Sequence, residues 1–217
     1  MDGNNNKSER LTLLLLGNST VGKSTFINKY MNDVFSENYI TTIGIDSVVK
    51  TMKLPTGEDI KLRFCDIAGK ETFRAISFSF IKMADGIFLL YDITERKSFD
   101  EINRWIENIR DIKEENFPVI LIGNKCDKEE ERNIDKEEGQ KLAEENGFPF
   151  FETSCKEGNN IEESVKFLVF DIIEKIKLKR LKEIQEGENG KAPNVRRKSF
   201  KLSKDKSKGH KNKKKCC

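Results

Sequence analysis

A chain of 217 residues, 35% charged and 36% hydrophobic, has room for one compact domain and a tail, and its apolar content excludes disorder throughout. Five cysteines without CxxC spacing and a single histidine, His210, argue against a secreted disulfide scaffold and a zinc centre. The net charge of +3 hides a split: from Lys191 onward twelve Lys and Arg face Asp205 alone, so a tail of +11 follows a body of −8, which speaks against nucleic-acid binding by the body.

The first eight residues are polar and Asn-rich, lack the apolar core of a signal peptide, and are expected to be flexible. Leu11 to Leu16 form a short apolar run that stops at Gly17, the pattern of a buried strand, and a helix is expected near Lys23 to Met31. Ser47 to Leu54, the turn Pro55-Thr56-Gly57 and Asp59 to Cys65 predict a hairpin. A strand over Gly86 to Tyr91 precedes a helix over Ser98 to Glu115, where Phe99, Ile102, Trp105, Ile106 and Ile109 recur at helical spacing. Pro118 to Ile122 and Phe148 to Glu152 read as strands, Asp135 to Glu145 as a helix, and Ile161 to about Lys182 as a last amphipathic helix. Strands alternating with helices predict an α/β fold with a six-stranded, mostly parallel, doubly wound sheet, the hairpin being its antiparallel departure. Residues 9–182 are assigned to this domain and 183–217 to a basic tail expected to be disordered. No apolar run reaches the ~18 residues of a membrane span, so the chain is expected in the cytosol unless something anchors it.

Gly17-Asn18-Ser19-Thr20-Val21-Gly22-Lys23-Ser24 fits GxxxxGK[ST] between a buried strand and a helix start, which is where such a loop cradles phosphate. Backbone N–H groups of Ser19 to Thr25 would face the phosphates, Lys23 would reach the β and γ phosphates, and Ser24 would ligate Mg²⁺. Asn124-Lys125-Cys126-Asp127 follows another buried strand. A carboxylate there, Asp127, can accept both the N1 and N2 protons of guanine, whereas adenine offers no matching donor pair.

These two motifs, with Asp66-Ile67-Ala68-Gly69 and Ser154-Cys155-Lys156, stand in the order and at the spacing of the Ras superfamily of P-loop small GTPases, and the resemblance covers about residues 10 to 180. Thr42-Ile43-Gly44-Ile45-Asp46, Lys61-Leu62-Arg63-Phe64, Tyr91-Asp92-Ile93-Thr94 and Cys216-Cys217 resemble its Rab branch. The resemblance implies a monomeric GTP/GDP switch with Mg²⁺, hydrolysing GTP and recruiting effectors in vesicle traffic under an exchange factor, a GAP and a GDI. It implies that Thr42 and Asp66 serve the metal with Ser24, that the Gly69 N–H meets the γ-phosphate, and that Asn124, Lys125 and Asp127 bind the base. Ser154, Cys155 and Lys156 match the SAK motif that completes the base pocket, with Cys155 for alanine tolerated because backbone does the binding.

Two departures carry consequences. Where Rab proteins read WDTAGQERF, this chain reads Cys65-Asp-Ile-Ala-Gly-Lys70-Glu-Thr-Phe73, so Lys70 occupies the position of the water-orienting glutamine. An amide both accepts and donates hydrogen bonds and an ammonium only donates, which predicts slow hydrolysis, or in the extreme a GTP-locked scaffold. The exposed aromatic triad of Rab proteins is matched here by Ser47, Cys65 and Phe80, and the YYRGA-like segment by Phe80 to Ala84, so effectors are expected to be idiosyncratic. Finally, Arg196-Arg197-Lys198 and Lys211 to Lys215 lead to Cys216-Cys217, matching the Rab pattern for two prenyl groups, which with the basic residues would hold the protein on the cytoplasmic face of an intracellular membrane, with a cytosolic pool.

Overall fold

The computed structural model describes residues 9–36, 45–67 and 74–188. Strands β1 (Glu9–Leu16), β2 (Ile45–Lys53), β3 (Asp59–Ile67), β4 (Gly86–Asp92), β5 (Val119–Asn124) and β6 (Phe150–Thr153) form one sheet in the order β2-β3-β1-β4-β5-β6. All neighbours are parallel except β2 and β3, whose antiparallel register runs from Ile45↔Ile67 to Lys53↔Asp59. The expected mostly parallel sheet with one antiparallel hairpin is therefore what forms.

Alternation along the strands sorts side chains into two cores. Leu11, Leu13 and Leu15 of β1, Phe88 and Leu90 of β4 and Ile120 and Ile122 of β5 face one side. There they pack on Phe26 and Ile27 of α1 (Lys23–Asn32) and on Val165, Leu168, Val169 and Ile172 of the last helix. Leu14, Leu16, Ile87, Leu89, Tyr91 and Leu121 face the other side. Their partners are Ile81 of α2 (Arg74–Met83), Phe99 of α3 (Arg96–Asp100), Ile102, Trp105, Ile106 and Ile109 of α4 (Ile102–Arg110) and Ala143 of α5 (Lys136–Asn146). The strands are apolar on both faces because both faces are covered.

Helix boundaries depart from the sequence expectation in two places. The helix expected over Ser98 to Glu115 is two, α3 and α4, meeting at Glu101 (φ −83°, ψ −5°), where the bonds Glu101 N–H to Lys97 and Trp105 N–H to Glu101 both stretch to 3.3 Å. Burial of Phe99 and Ile102 on either side of the joint keeps the apolar period continuous, so periodicity alone does not reveal it. The last helix, α6 (Ile161–Glu188), runs past the expected end at Lys182, into the segment assigned to the tail. α5 begins on a reciprocal capping box between Asp135 and Glu138 and stops at Gly147, whose left-handed φ of 71° an L side chain would resist.

The phenol of Tyr91 is fully buried between Gly123 and Gly139, and its hydroxyl has no hydrogen-bond partner among the described residues. A buried unsatisfied hydroxyl costs about 1–3 kcal/mol. Tyr91→Phe is accordingly expected to leave stability unchanged or raise it by about 1 kcal/mol, read as the urea midpoint at constant m-value, whereas most truncations in this core lower it.

Candidate functional site

Because the parallel strands share one direction, their carboxyl ends meet along one edge, and every described residue assigned from the sequence to nucleotide or metal lies in a segment leaving that edge. β1 ends in the loop Gly17 to Gly22, β3 ends at Asp66 and Ile67, β4 at Asp92, β5 at Asn124, and β6 leads into Ser154-Cys155-Lys156.

The loop after β1 turns through three left-handed residues, Gly17 (φ 139°), Thr20 (φ 70°) and Gly22 (φ 101°). A Cβ on Gly17 would overlap the Leu90 carbonyl oxygen, and one on Gly22 would overlap the Asn124 amide nitrogen, so glycine is required at both for space as well as for φ. Gly22 then serves as N-cap of α1, aiming the N–H groups of the first turn, Lys23 to Thr25, out of the sheet edge. Val21 is buried and holds the loop to the core, while Ser19 and Thr20 lie on its outer side.

Lys23 is only 6% exposed, and its Nζ donates to the carbonyl oxygens of Gly17 (3.0 Å) and Asn18 (2.7 Å), wrapping the loop around the amine. Burial pulls the amine down to about 8, against the opposing influence of the Asp66 carboxylate. Such an amine gains from a phosphate beside it. Ser24 Oγ donates to Asp66 Oδ2, bringing a hydroxyl and a carboxylate from different elements together, the hard oxygen set that suits Mg²⁺. The cradle of glycines, the buried amine and this oxygen pair fit a nucleotide phosphate chain with its metal ion.

At the other end of the edge, Asp127 Oδ1 accepts the Ser154 hydroxyl proton at 2.6 Å, and Ser154 Oγ in turn accepts the Glu157 N–H at 3.0 Å. Lys125, itself left-handed at φ 69°, extends to Asp92 with Nζ–Oδ2 of 2.5 Å. Asp92 also accepts the Thr94 N–H (2.9 Å) and hydroxyl (2.8 Å), so the lysine stem is pinned. Cys155 is buried, its thiol donates to Asn124 Oδ1 at 3.4 Å, and burial pushes it up to about 12; burial raises Cys126 too. Neither is a thiolate near neutral pH. Lys156 is exposed at the rim.

Asn124 does something the motif does not reveal. It is 1% exposed, its Nδ2 donates to the Val21 carbonyl at 2.8 Å, and its Oδ1 accepts from Thr153 Oγ1 at 3.0 Å as well as from Cys155. It therefore ties the loop after β1 to the loop after β6. The part Asp92 plays in holding Lys125 is not evident from the sequence either; the one signal for it is a carboxylate closing an otherwise apolar strand. Trp105 Nε1 donates to Asn18 Oδ1 at 3.3 Å, a contact across the sheet edge that no local pattern announces. Thr42, Gly69 and Lys70, assigned to the metal, the γ-phosphate and the water, and Cys216 and Cys217, assigned to lipidation, lie outside the described residues.

Two substitutions separate these contributions. Asn124→Ala removes both ties and strands the Val21 carbonyl; we expect a loss of about 1–3 kcal/mol in stability and faster release of a fluorescent guanine nucleotide, measured by thermal unfolding and stopped flow on one preparation. Thr20→Gly should do the reverse. A β-branched residue in the left-handed region costs about 1–2 kcal/mol, and glycine returns about 0.5–1 kcal/mol of that as chain entropy, leaving a rise in thermal midpoint of a few degrees at most.

Comparison with known proteins agrees with this geometry. The Ras family model matches residues 12–179. The human Ras-related protein Rab-8B is 43% identical over 167 residues, 77% of this chain and 80% of its own. The fission-yeast (Schizosaccharomyces pombe) GTP-binding protein ypt2 is 44% identical over 162 residues, 75% and 80% of the two chains, and human Ras-related protein Rab-3D is 41% identical over 183 residues, 84% and 83%. The edge built by the phosphate loop, Asp66, Asn124, Asp127 and Ser154 thus belongs to a chain that is a member of the Rab group of Ras-family small GTPases, a GTP hydrolase binding GTP or GDP with Mg²⁺.

Proposed function

We propose that the chain is a membrane-recruited Rab-type switch in intracellular vesicle traffic whose turn-off step is slow. The observation that carries the slow step is Lys70 at the glutamine position of the segment beginning Asp66-Ile67-Ala68-Gly69.

In this reading the N–H groups of Ser19 to Thr25 and the Lys23 amine hold the phosphates, and Ser24, Asp66 and Thr42 serve the metal ion, which supplies charge neutralisation to the β and γ oxygens. Thr42 and the Gly69 N–H report the γ-phosphate, so that their segments take up one arrangement with GTP and another with GDP. Asp127, held by Ser154, accepts the guanine N1 and N2 protons; Lys125, pinned by Asp92, lays its stem along the base; and the backbone at Cys155 with Lys156 closes the pocket. Support for guanine rather than adenine comes from the oriented carboxylate, which adenine would leave unpaired.

Hydrolysis requires a group that accepts a proton or hydrogen bond from the attacking water. Lys70 as an ammonium offers none, and loss of water positioning worth about 10- to 100-fold raises the barrier by about 1.4–2.7 kcal/mol. Taken to its limit, the same lysine favours a second reading, a guanine-nucleotide-binding scaffold that stays in the GTP form. Single-turnover hydrolysis by the purified chain distinguishes them: Lys70→Gln is expected to accelerate turnover about 10- to 100-fold. Equal rates would remove Lys70 from the mechanism.

Partners follow from the surfaces. Ser47 is exposed opposite Cys65, which is fully buried in β3, so two of the three aromatic anchors are replaced by small side chains, one of them inaccessible. Effectors of this chain would read other features, among them Phe78, exposed on α2. An exchange factor, a GAP and a GDI complete the cycle. Membrane attachment is assigned to prenyl groups on Cys216 and Cys217 assisted by the basic tail, and among the described residues no helix is long and apolar enough to cross a membrane. With Cys216 and Cys217 both changed to Ser, the tagged chain is expected to move to the soluble fraction; unchanged pelleting with membranes would overturn the lipid assignment.

A further inference from the structure

The pattern GxxxxGK[ST] leaves the position of Asn18 open, and the structure uses this residue twice. Its backbone carbonyl oxygen accepts the Lys23 amine at 2.7 Å, closer than the 3.0 Å bond from the same amine to the Gly17 carbonyl. Its side-chain Oδ1 accepts the Trp105 indole N–H at 3.3 Å. A path of two hydrogen bonds therefore runs from the core, through one loop residue, to the amine that faces the phosphates.

Trp105 is a fixed donor. Its ring is buried in the core formed with Phe99, Ile102 and Ile106, and an indole carries one N–H and no acceptor, so the packing of the ring sets where that N–H points. The loop is thereby held on both limbs. On the limb entering α1, Asn124 donates to the Val21 carbonyl from the end of β5; on the limb leaving β1, Trp105 donates to Asn18 from α4. Asn18 stands between two left-handed residues, Gly17 (φ 139°) and Thr20 (φ 70°). A side-chain tie at this point restricts the backbone rotation that would turn the Asn18 carbonyl away from the amine.

We propose that Trp105 is a positioning residue for the phosphate end of the site: through Asn18 it holds the carbonyl that aims the Lys23 amine. The inference rests on the reading that Lys23 meets the β and γ phosphates. Without the indole N–H, the carbonyl is free to turn, one of the two loop bonds to the amine loosens, and more of the loop has to be ordered when the nucleotide binds. The tie is a neutral hydrogen bond, so its net worth corresponds to about 2- to 10-fold in affinity. The apolar packing of the ring is separate from this role, because phenylalanine retains most of it.

The test compares GDP with GMP, which lacks the β-phosphate, by displacement of a fluorescent guanine nucleotide from the full-length chain with Mg²⁺. Lys23→Ala, the reference, is expected to weaken GDP far more than GMP. Trp105→Phe keeps a ring in the core and removes the N–H; it is expected to weaken GDP about 2- to 10-fold and to leave GMP unchanged. Asn18→Ala is expected to match it, and the two substitutions together to do no more than either alone. Asn18→Ala should also move the indole N–H signal upfield in a nitrogen–proton correlation spectrum, where the chain's one tryptophan gives a single peak. Equal losses for GDP and GMP in Trp105→Phe, additive effects of the two substitutions or an unmoved indole signal would mean that the indole serves the core alone. Any of these would overturn the proposal, while discrimination by Lys23→Ala would keep the phosphate reading standing. Lys23→Ala weakening both ligands alike would remove that reading and the proposal with it.

Discussion

A single buried amide holds the two halves of the nucleotide edge together. Asn124, at the end of β5, donates to the Val21 carbonyl of the phosphate loop and accepts from Thr153 and Cys155 at the end of β6. Its amide nitrogen occupies the place a Cβ on Gly22 would need, so the glycine and the asparagine are mutually required. The parallel sheet makes this possible by ending its strands on one side; the amide makes it cooperative. The phosphate loop and the loops that carry Asp127 and Ser154 are consequently parts of one hydrogen-bonded assembly, in which loosening either end reaches the other.

The order of elements, the hairpin and the phosphate loop are legible in the sequence because each rests on local chemistry: an apolar run broken at Gly17, a Pro-Thr-Gly turn, glycines at fixed spacing. The position of Asp127 just after a buried strand, at the carboxyl edge of the sheet, is legible for the same reason. What escapes is what depends on distance in space. The bond from Trp105 to Asn18 and the pairing of Lys125 with Asp92 join residues far apart in sequence, and no window contains both partners. The joint at Glu101 escapes because Phe99 and Ile102 keep the helical period through it. The exposure of Phe167, Phe170, Leu178, Leu181 and Ile184 on α6 escapes because apolar residues at helical spacing look, by period alone, like buried ones.

Strain and burial at the phosphate loop point the same way. A threonine in the left-handed region and an amine deprived of water are both unfavourable in isolation, and both persist because the surrounding sheet leaves the loop little alternative. A loop held in this way has its glycines and its buried amine already in place, and preorganisation of that kind lowers the ordering cost of binding an anion.

The sheet has two edges, and they are unequal. β6 is only four residues long, whereas β2 offers nine residues of backbone along its outer side. An open strand of that length is a template on which another chain could add itself, and proteins gathered densely on a surface are the ones most exposed to that hazard. β2 carries Asp46, Lys50 and Lys53, and the Lys50 amine folds back to the Tyr30 carbonyl at 2.6 Å, standing 4.3 Å from the centre of the Tyr30 ring. Charge along the rim thus keeps neighbouring copies from zipping together edge to edge, an insurance against aggregation that leaves the nucleotide edge untouched.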